Sequence, residues 1–209
     1  MIILLSDLVF TKTKTLNENL RQAFEGSNLR MGFIPSKTTS KKKYEERVLA
    51  HYRWLGIRDF VYFDLDEGFE PGRLGELLAC DIIHLDGGNP QRFQRNLVKR
   101  DFRRVLTDFL SDGGILIGMS AGALQLGPDI GLAEVVEGRE FLREDEFHGL
   151  GFVDFYVAPH WGNPRFSYTR ESVEAFARKR GKVVYLCEDG GGIFVEDEIR
   201  LVGKVECVE

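Results

Sequence analysis

Five residues near the middle of the chain combine a potential nucleophile with small neighbours. The run GMSAG, residues 118 to 122, fits the pattern G-x-S-x-G, which forms a tight turn from a strand into a helix and exposes the serine oxygen. The flanking residues must be small because this turn brings backbone segments close together. Free amides at the start of the following helix would favour developing negative charge on an attacked carbonyl. We therefore interpret Ser120 as a candidate acyl-transfer nucleophile, with an incidental serine in a glycine-rich strand end as the alternative.

A serine nucleophile needs a base, and His160 has the most suitable position of the four histidines. It follows the apolar run FYVAP and precedes the turn residues WGNP. Since the carboxyl ends of parallel strands meet at one edge of an open α/β sheet, His160 and Ser120 would share that edge. His84 lies in an apolar run and is interpreted as a core residue. His51 is placed on the exposed side of a helix, and His148 in an acidic loop.

The carboxylate that would orient this base is not fixed by the pattern. Composition does not choose among the acids between Ser120 and His160, most of which must be solvated: Asp129, Glu134, Glu137, Glu140, Glu144, Asp145, Glu146 and Asp154. A glycine cluster further on, EDGGG at 188 to 192, is interpreted mainly as a turn that could bring Glu188 and Asp189 near the site.

A second glycine cluster, Gly87-Gly88-Asn89, also follows an apolar strand. Paired glycines allow backbone amides to approach a ligand closely. The amides of Gly88 and Ala121 are therefore candidates for the two donors of an oxyanion hole. A plain β-turn is the alternative for this cluster.

Short apolar runs alternate with amphipathic stretches, which predicts βαβ units and a doubly wound, mostly parallel sheet. The predicted strands cover 2–5, 31–34, 60–63, 82–85, 114–118, 152–157, 183–186, 192–195 and 199–202, the last two as an antiparallel hairpin. The predicted helices cover 16–24, 74–78, 102–110, 121–126 and 171–178, with another that presents Tyr44, Val48 and Tyr52 on one face after a possible Ser40 cap. The stretch 134–146 is expected to be a loop with a short helix or strand. We expect one α/β domain over 1–209.

Composition limits the function classes. The chain has 209 residues, 43% of them apolar, and a net charge of −5, which gives no reason to expect nucleic acid or an anionic membrane as partner. Its three cysteines are widely spaced and suggest neither a disulfide framework nor a zinc site. The apolar N-terminus lacks a basic flank, so it is interpreted as a strand and the expected location is the cytoplasm.

In order and spacing, the motifs resemble those of the peptidase E and cyanophycinase family of serine peptidases. The matching residues are FIPS (33–36), DGGNP (86–90), GMSAGA (118–123) and APHW (158–161). The resemblance implies a Rossmann-like fold related to class I glutamine amidotransferases and a triad of serine, histidine and an acid. Carried over, Ser120 is the nucleophile and His160 the base. The family's acid falls at about Glu137, with Glu134 in reserve.

The same resemblance implies the rest of the site. Gly88 and Ala121 would form the oxyanion hole, and Asn89 would contact the substrate. Peptidase E has a Thr-Arg-Glu run whose arginine recognises an N-terminal aspartate, and Thr169-Arg170-Glu171 matches it at a shorter distance from His160. The predicted activity is that of an Asp-X dipeptidase acting on small peptides as a monomer or homodimer, without metal or cofactor.

Two rival functions remain at this level. The first is another hydrolase of the same family, such as a cyanophycinase-like enzyme acting on β-linked aspartyl-arginine fragments. The second is a non-catalytic binding module on the amidotransferase-like scaffold, in which Ser120 only shapes a turn. Amidotransferase activity is disfavoured because those domains place cysteine at the elbow, and none of the three cysteines lies near it.

Overall fold

The structure is a computed structural model that describes residues 1–9, 13–25, 28–38, 42–143, 146 and 148–209, without the side chains of 42–45. The Ser40 cap, the Tyr44 part of the predicted helix face and the candidate acids Glu144 and Asp145 lie outside these described features. Within them, no helix is long and apolar enough to cross a membrane.

Strands alternate with helices through the first two thirds of the chain, as predicted. The strands are β1 (Ile2–Leu5), β2 (Arg30–Ile34), β3 (Asp59–Tyr62), β4 (Ile82–Leu85), β5 (Ile115–Met119), β6 (Tyr156–Trp161), β7 (Val184–Glu188), β8 (Gly192–Val195), β9 (Ile199–Val202) and β10 (Val205–Val208). The main sheet has the order β3-β2-β4-β5-β1-β8-β9. Its first five strands are parallel, and β8 and β9 form the predicted antiparallel hairpin. The predicted mostly parallel α/β fold is confirmed.

The helices connect these strands and cover the faces of the sheets. They are α1 (Lys14–Ala23), α2 (Lys42–Leu55), α3 (Leu74–Leu78), α4 (Pro90–Lys99), α5 (Phe102–Ser111), α6 (Ala121–Leu126), α7 (Leu132–Glu137) and α8 (Arg170–Arg180), with a 3₁₀ turn at Pro71–Arg73. The sequence analysis did not identify α4. It begins at Pro90, and the side chain of Asn89 caps it by accepting the Arg92 N–H at 2.7 Å.

Alternation along the buried strands divides the core between the two faces of the main sheet. In β1, Leu4 packs into one apolar cluster while Ile3 and Leu5 pack into the other. Apolar residues of the helices complete both clusters, so every central strand is buried on both faces. This double burial explains why the strands read as nearly continuous apolar runs.

A separate small sheet, of order β10-β7-β6, corrects the expectation of one continuous sheet. The strand predicted over 152–157 is displaced, because β6 begins at Tyr156 and extends through His160. β10, which the sequence analysis did not identify, pairs antiparallel with β7. A third apolar cluster joins this sheet to α7 and α8. The His160 strand is therefore positioned by packing between sheets and not by pairing beside β5.

Candidate active site

The elbow at Ser120 joins β5 to α6 through a strained backbone. Ser120 has φ 51° and ψ −112°, a conformation that costs non-glycine residues about 1–3 kcal/mol. Its amide donates to the Leu5 carbonyl at 2.9 Å, which ties the turn to β1. A Cβ on Gly118 would lie 2.7 Å from the Gly122 oxygen, and one on Gly122 would lie 2.0 Å from the Leu85 oxygen. The two glycines are therefore required by the close approach of α6 to β4 and β5.

His160 approaches Ser120 from the small sheet. The pairing of β6 with β7 is irregular between Pro159 and Trp161, and His160 at this bulge has φ 65°. A bulge of this kind redirects a side chain out of the strand pattern. The imidazole Nε2 lies 2.8 Å from the Ser120 Oγ, which is hydrogen-bonding distance. The predicted juxtaposition of Ser120 and His160 is thus present, although the two strands belong to different sheets.

The carboxylate that is hydrogen-bonded to the other imidazole nitrogen, Nδ1, belongs to Asp189 in the turn between β7 and β8. Its Oδ1 lies 2.7 Å from His160 Nδ1, and its Oδ2 accepts the Asn163 side-chain amide at 2.7 Å. Burial would raise the pKa of Asp189, but the hydrogen bond and charge of His160, with the Asn163 and Ser6 donors, lower it to about 2. Asp189 is therefore ionised near neutral pH and suited to stabilise a protonated imidazole.

This geometry corrects the expectation that Glu137 orients the base. Both imidazole nitrogens of His160 are already engaged, one by Ser120 and the other by Asp189. Glu137 is the last residue of α7 and lies on the wall of the pocket beside Ser120. The reserve residue, Glu134, instead accepts the backbone amides of Phe141 and Leu142.

Ser6, just beyond the end of β1, links the base to its acid. Its buried hydroxyl accepts the backbone N–H of His160 at 2.7 Å and donates to Asp189 Oδ1 at 2.9 Å. The Ser6 hydroxyl thus accepts a hydrogen bond from the backbone amide of His160 and also orients the Asp189 carboxylate toward the imidazole. Ser6 was not predicted, because it lies 154 residues from His160 in sequence.

Phe166 stacks on the imidazole face. The two ring centroids are 4.5 Å apart and the ring planes differ by 5°. Successive turns, Asn163 N–H to His160 O and Phe166 N–H to Asn163 O, bring the phenyl ring back over the histidine. The ring covers one face of the imidazole and forms part of the pocket wall.

The glycine turn after β4 contributes Gly88 to the wall of the pocket beside Ser120. Gly88 has φ 127°, and a Cβ there would lie 2.3 Å from the Ser36 hydroxyl oxygen. The Ser36 hydroxyl oxygen accepts a hydrogen bond from the backbone N–H of Asn89 at 3.1 Å, which fixes the turn. Gly88 and Ala121, the predicted oxyanion donors, both line the pocket with Ser120 and His160.

The two residues expected to bind substrate have other partners in the structure. Arg170, in the first turn of α8, forms ion pairs with Glu206 on β10 and, at 3.8 Å, with Glu174. It does not line the pocket, which is about 50 Å³ in volume. The Asn89 side chain caps α4, as described above, and is also outside the pocket lining. The structure therefore does not support the predicted substrate contacts of Arg170 and Asn89.

The other three histidines, His51, His84 and His148, do not line this pocket. The prediction that His84 is a core residue is confirmed, because its side chain is fully buried against Tyr52 and Phe33. The exposed position expected for His51 is wrong. It is buried beside Asn17, and burial, with the charges of Arg47 and Arg21, lowers its pKa to about 4. Within the described parts of the chain, no group of three or more His, Cys, Asp or Glu side chains is arranged to hold a metal ion.

Comparison with known proteins identifies the family. The model of peptidase family S51 matches residues 2–202. The chain belongs to peptidase family S51. Membership makes this S51 chain a serine peptidase, in agreement with the hydrogen-bonded set of Ser120, His160 and Asp189.

Individual relatives agree with this assignment. The chain is 26% identical over 171 residues to an uncharacterized peptidase of Listeria monocytogenes, covering 78% of this chain and 80% of that protein. It is 30% identical over 91 residues to an uncharacterized peptidase of Pasteurella multocida, covering 42% of this chain and 43% of the relative.

Two solved structures share the fold of this S51 chain. A Listeria monocytogenes crystal structure provisionally assigned as peptidase E aligns with a TM-score of 0.75 at 19% identity, covering 97% of this chain and 98% of that one. A peptidase from an acI-B1 actinobacterium aligns with a TM-score of 0.66 at 15% identity, covering 99% and 86% respectively.

Proposed function

We propose that this S51 peptidase hydrolyses short peptides through an acyl-enzyme formed on Ser120. The observation that carries the proposal is the continuous hydrogen-bonded chain from Ser120 Oγ through His160 to Asp189, at 2.8 and 2.7 Å. A nucleophile, a base and an orienting carboxylate at these distances are the components of serine-type acyl transfer.

In the first half of the reaction, His160 Nε2 takes the Ser120 proton as Oγ attacks the peptide carbonyl. The imidazole becomes charged, and Asp189 stabilises that charge across Nδ1. Negative charge develops on the carbonyl oxygen, where the Gly88 and Ala121 amides are the proposed donors. In comparable sites one such donor lowers the barrier by about 3 kcal/mol.

The tetrahedral intermediate then collapses and the peptide C–N bond breaks, which leaves the acyl group joined to Ser120 Oγ as an ester and completes the first half. The leaving amine takes its proton from His160. In the second half, water attacks the carbonyl carbon of this ester while His160 accepts its proton. The bond between that carbon and Ser120 Oγ then breaks, His160 returns the proton to Oγ, and the acid product leaves. Every proton is therefore carried by one imidazole, which must keep its orientation through both halves.

We propose in addition that the enzyme prefers peptides with an N-terminal aspartate. Membership of family S51 and the likeness to a provisionally assigned peptidase E support it. Arg170 does not, since its guanidinium pairs with Glu206 and Glu174. The matched dipeptides Asp-Leu and Asn-Leu separate an aspartate requirement from a general dipeptidase, and β-Asp-Arg tests the cyanophycinase-like alternative.

The reaction type is tested by Ser120→Ala together with a fluorophosphonate probe. We expect the wild type to release leucine from at least one X-Leu dipeptide and to be labelled at Ser120. The Ser120→Ala variant should keep its thermal unfolding transition and lose both turnover and labelling. Turnover that survives in the variant, or a wild type that the probe does not label, would contradict the proposal and favour a binding role.

A further inference from the structure

The peptide bond between Pro159 and His160 sets the direction of the base. It precedes the N–Cα bond of His160, about which φ is 65°. Non-glycine residues keep such a left-handed conformation only where neighbouring contacts hold it. The pairing of β6 with β7 is irregular between Pro159 and Trp161, and a bulge disrupts the local hydrogen-bond ladder. Contacts from outside the sheet are therefore needed to fix the plane of this peptide.

Two hydroxyl groups hold that peptide from opposite sides. The Ser6 hydroxyl accepts the His160 backbone N–H at 2.7 Å. The Tyr168 hydroxyl donates to the Pro159 carbonyl oxygen, also at 2.7 Å, and makes a longer contact of 3.4 Å with the Ala158 carbonyl. In a planar trans peptide the C=O and the N–H point in opposite directions. One rigid unit is therefore hydrogen-bonded at both ends.

Tyr168 is itself fixed by its surroundings. Its ring packs against Trp161, with centroids 5.5 Å apart, and against the apolar cluster that joins the small sheet to α7 and α8. The next residue, Thr169, caps α8 through a capping box. Burial, with Cys187 and the charge of Asp189 nearby, raises the pKa of Tyr168. The hydroxyl therefore keeps its proton near neutral pH and acts as a donor.

We infer that Tyr168 is a positioning residue whose hydroxyl, with that of Ser6, fixes the backbone plane before His160. This plane sets the direction in which the imidazole faces Ser120 Oγ. The inference rests on the proposed acyl transfer at Ser120. Tyr168 does not line the pocket, so it acts through the base and not on the substrate.

The inference separates two kinetic quantities. If the peptide plane turns, the imidazole moves with it, and the 2.8 Å contact between His160 Nε2 and Ser120 Oγ is disturbed. Rates of catalysis are sensitive to a displacement of this kind. The pocket that holds the substrate keeps its lining. Loss of the Tyr168 hydroxyl should therefore lower kcat and leave KM nearly unchanged.

The test compares Tyr168→Phe with Tyr156→Phe, and each change removes one hydroxyl and keeps the ring. Tyr156 lies on β6, four residues before His160 and outside the pocket lining. Its hydroxyl donates to the Asp129 carboxylate at 2.6 Å. Hydrogen bonds to charged groups contribute more to stability than those to neutral ones. The control therefore loses at least as much folding stability without releasing the peptide before His160.

The measurements are kcat and KM for the X-Leu dipeptide that the wild type cleaves best, and the rate constant and final extent of Ser120 labelling by a fluorophosphonate. We expect Tyr168→Phe to lower kcat and the labelling rate constant about tenfold, with unchanged KM and final extent. Tyr156→Phe should match the wild type in all four. A misfolded fraction would instead lower the final extent and leave the rate constant unchanged.

The double variant Ser6→Ala/Tyr168→Phe tests whether the two hydroxyls act on one unit. Its loss of labelling rate should be smaller than the product of the two single losses, because release of one end already frees the plane. Fully multiplicative losses would overturn the inference.

Two results for the single variants would also overturn it. They are a Tyr168→Phe protein that is labelled at the wild-type rate and an equal loss of rate in Tyr156→Phe. Either result, with a wild type that is labelled, rejects the role of Tyr168 alone. A wild type that the probe does not label rejects the proposed function.

Discussion

Ser120 and His160 are held in position by different means, although they form one site. Gly118 and Gly122, two residues either side of Ser120, allow the close packing that shapes its elbow. His160 depends on distant side chains, since Ser6 lies 154 residues away and Asp189 lies 29 residues away. The nucleophile is therefore positioned by a local motif, and the base by tertiary structure.

This difference has consequences for mutation. A change near Ser120 should disturb the packing of α6 on the main sheet, and with it both fold and activity. A change around His160 should leave the fold largely intact and misdirect one imidazole. Substitutions on the two sides can therefore be compared by measuring stability and catalysis separately.

The largest effect is expected at Gly122. Gly122→Ala places a Cβ 2.0 Å from the Leu85 backbone oxygen, which cannot move without displacing β4. Overpacking costs about 1–3 kcal/mol and occasionally more, and urea unfolding with fluorophosphonate labelling should show losses of both stability and reactivity. Gly75→Ala is the control, because its Cβ would meet nothing within 4 Å. A Gly122→Ala protein as stable and reactive as the wild type would contradict the claim that local packing of the two glycines shapes the elbow.

An intermediate effect is expected at Ser6. Ser6→Ala removes both hydrogen bonds that the hydroxyl makes to His160 and Asp189. Misplacement of a catalytic group by about 1 Å costs on the order of 100-fold in rate, so kcat/KM should fall by about that factor. The buried His160 N–H loses its acceptor, so the unfolding free energy should also fall, but by less than in Gly122→Ala. Ser111→Ala, which removes an exposed helical hydroxyl, should be indistinguishable from the wild type in both measurements.

The smallest effect concerns acid stability. The pKa of Asp189 is about 2 in the folded protein against an ordinary value of 3.8. A carboxyl with a lowered folded pKa stabilises the native state above its ordinary pKa, and this stabilisation is lost as pH falls through the folded value. The unfolding free energy of the wild type should therefore decline more steeply than that of Asp189→Asn between about pH 4 and pH 2. Parallel curves would show that Asp189 is not stabilised in its ionised form.

The same contrast explains which parts of the site could be predicted from sequence. Ser120 and Gly88 were identified because glycines at fixed spacing mark turns that end buried strands. Asp189 was noticed only as part of a glycine turn, since no local pattern connects it with His160. Glu137 was preferred on family likeness, and the structure places it on the wall of the pocket instead of beside the imidazole Nδ1.

For the fold as well, local features could be predicted from the sequence and features that depend on tertiary packing could not. Alternating apolar runs predicted the parallel strands of the main sheet and the β8–β9 hairpin. The split into two sheets was not predicted, because it depends on how β6 and β7 pack against α7 and α8. The bulge at His160 likewise results from pairing between β6 and β7, which periodicity within one strand does not encode.

The central claim is that Asp189, and not Glu137, orients the base for attack by Ser120. The most direct measurement is the rate of Ser120 labelling by a fluorophosphonate in Asp189→Asn and Glu137→Gln, with folding checked by thermal unfolding. We predict a fall of about 1,000-fold or more in Asp189→Asn, as expected when a triad acid is lost, and a rate within about twofold of the wild type in Glu137→Gln. A folded Asp189→Asn protein that labels normally, or a Glu137→Gln protein that labels as slowly as expected for Asp189→Asn, would contradict the account.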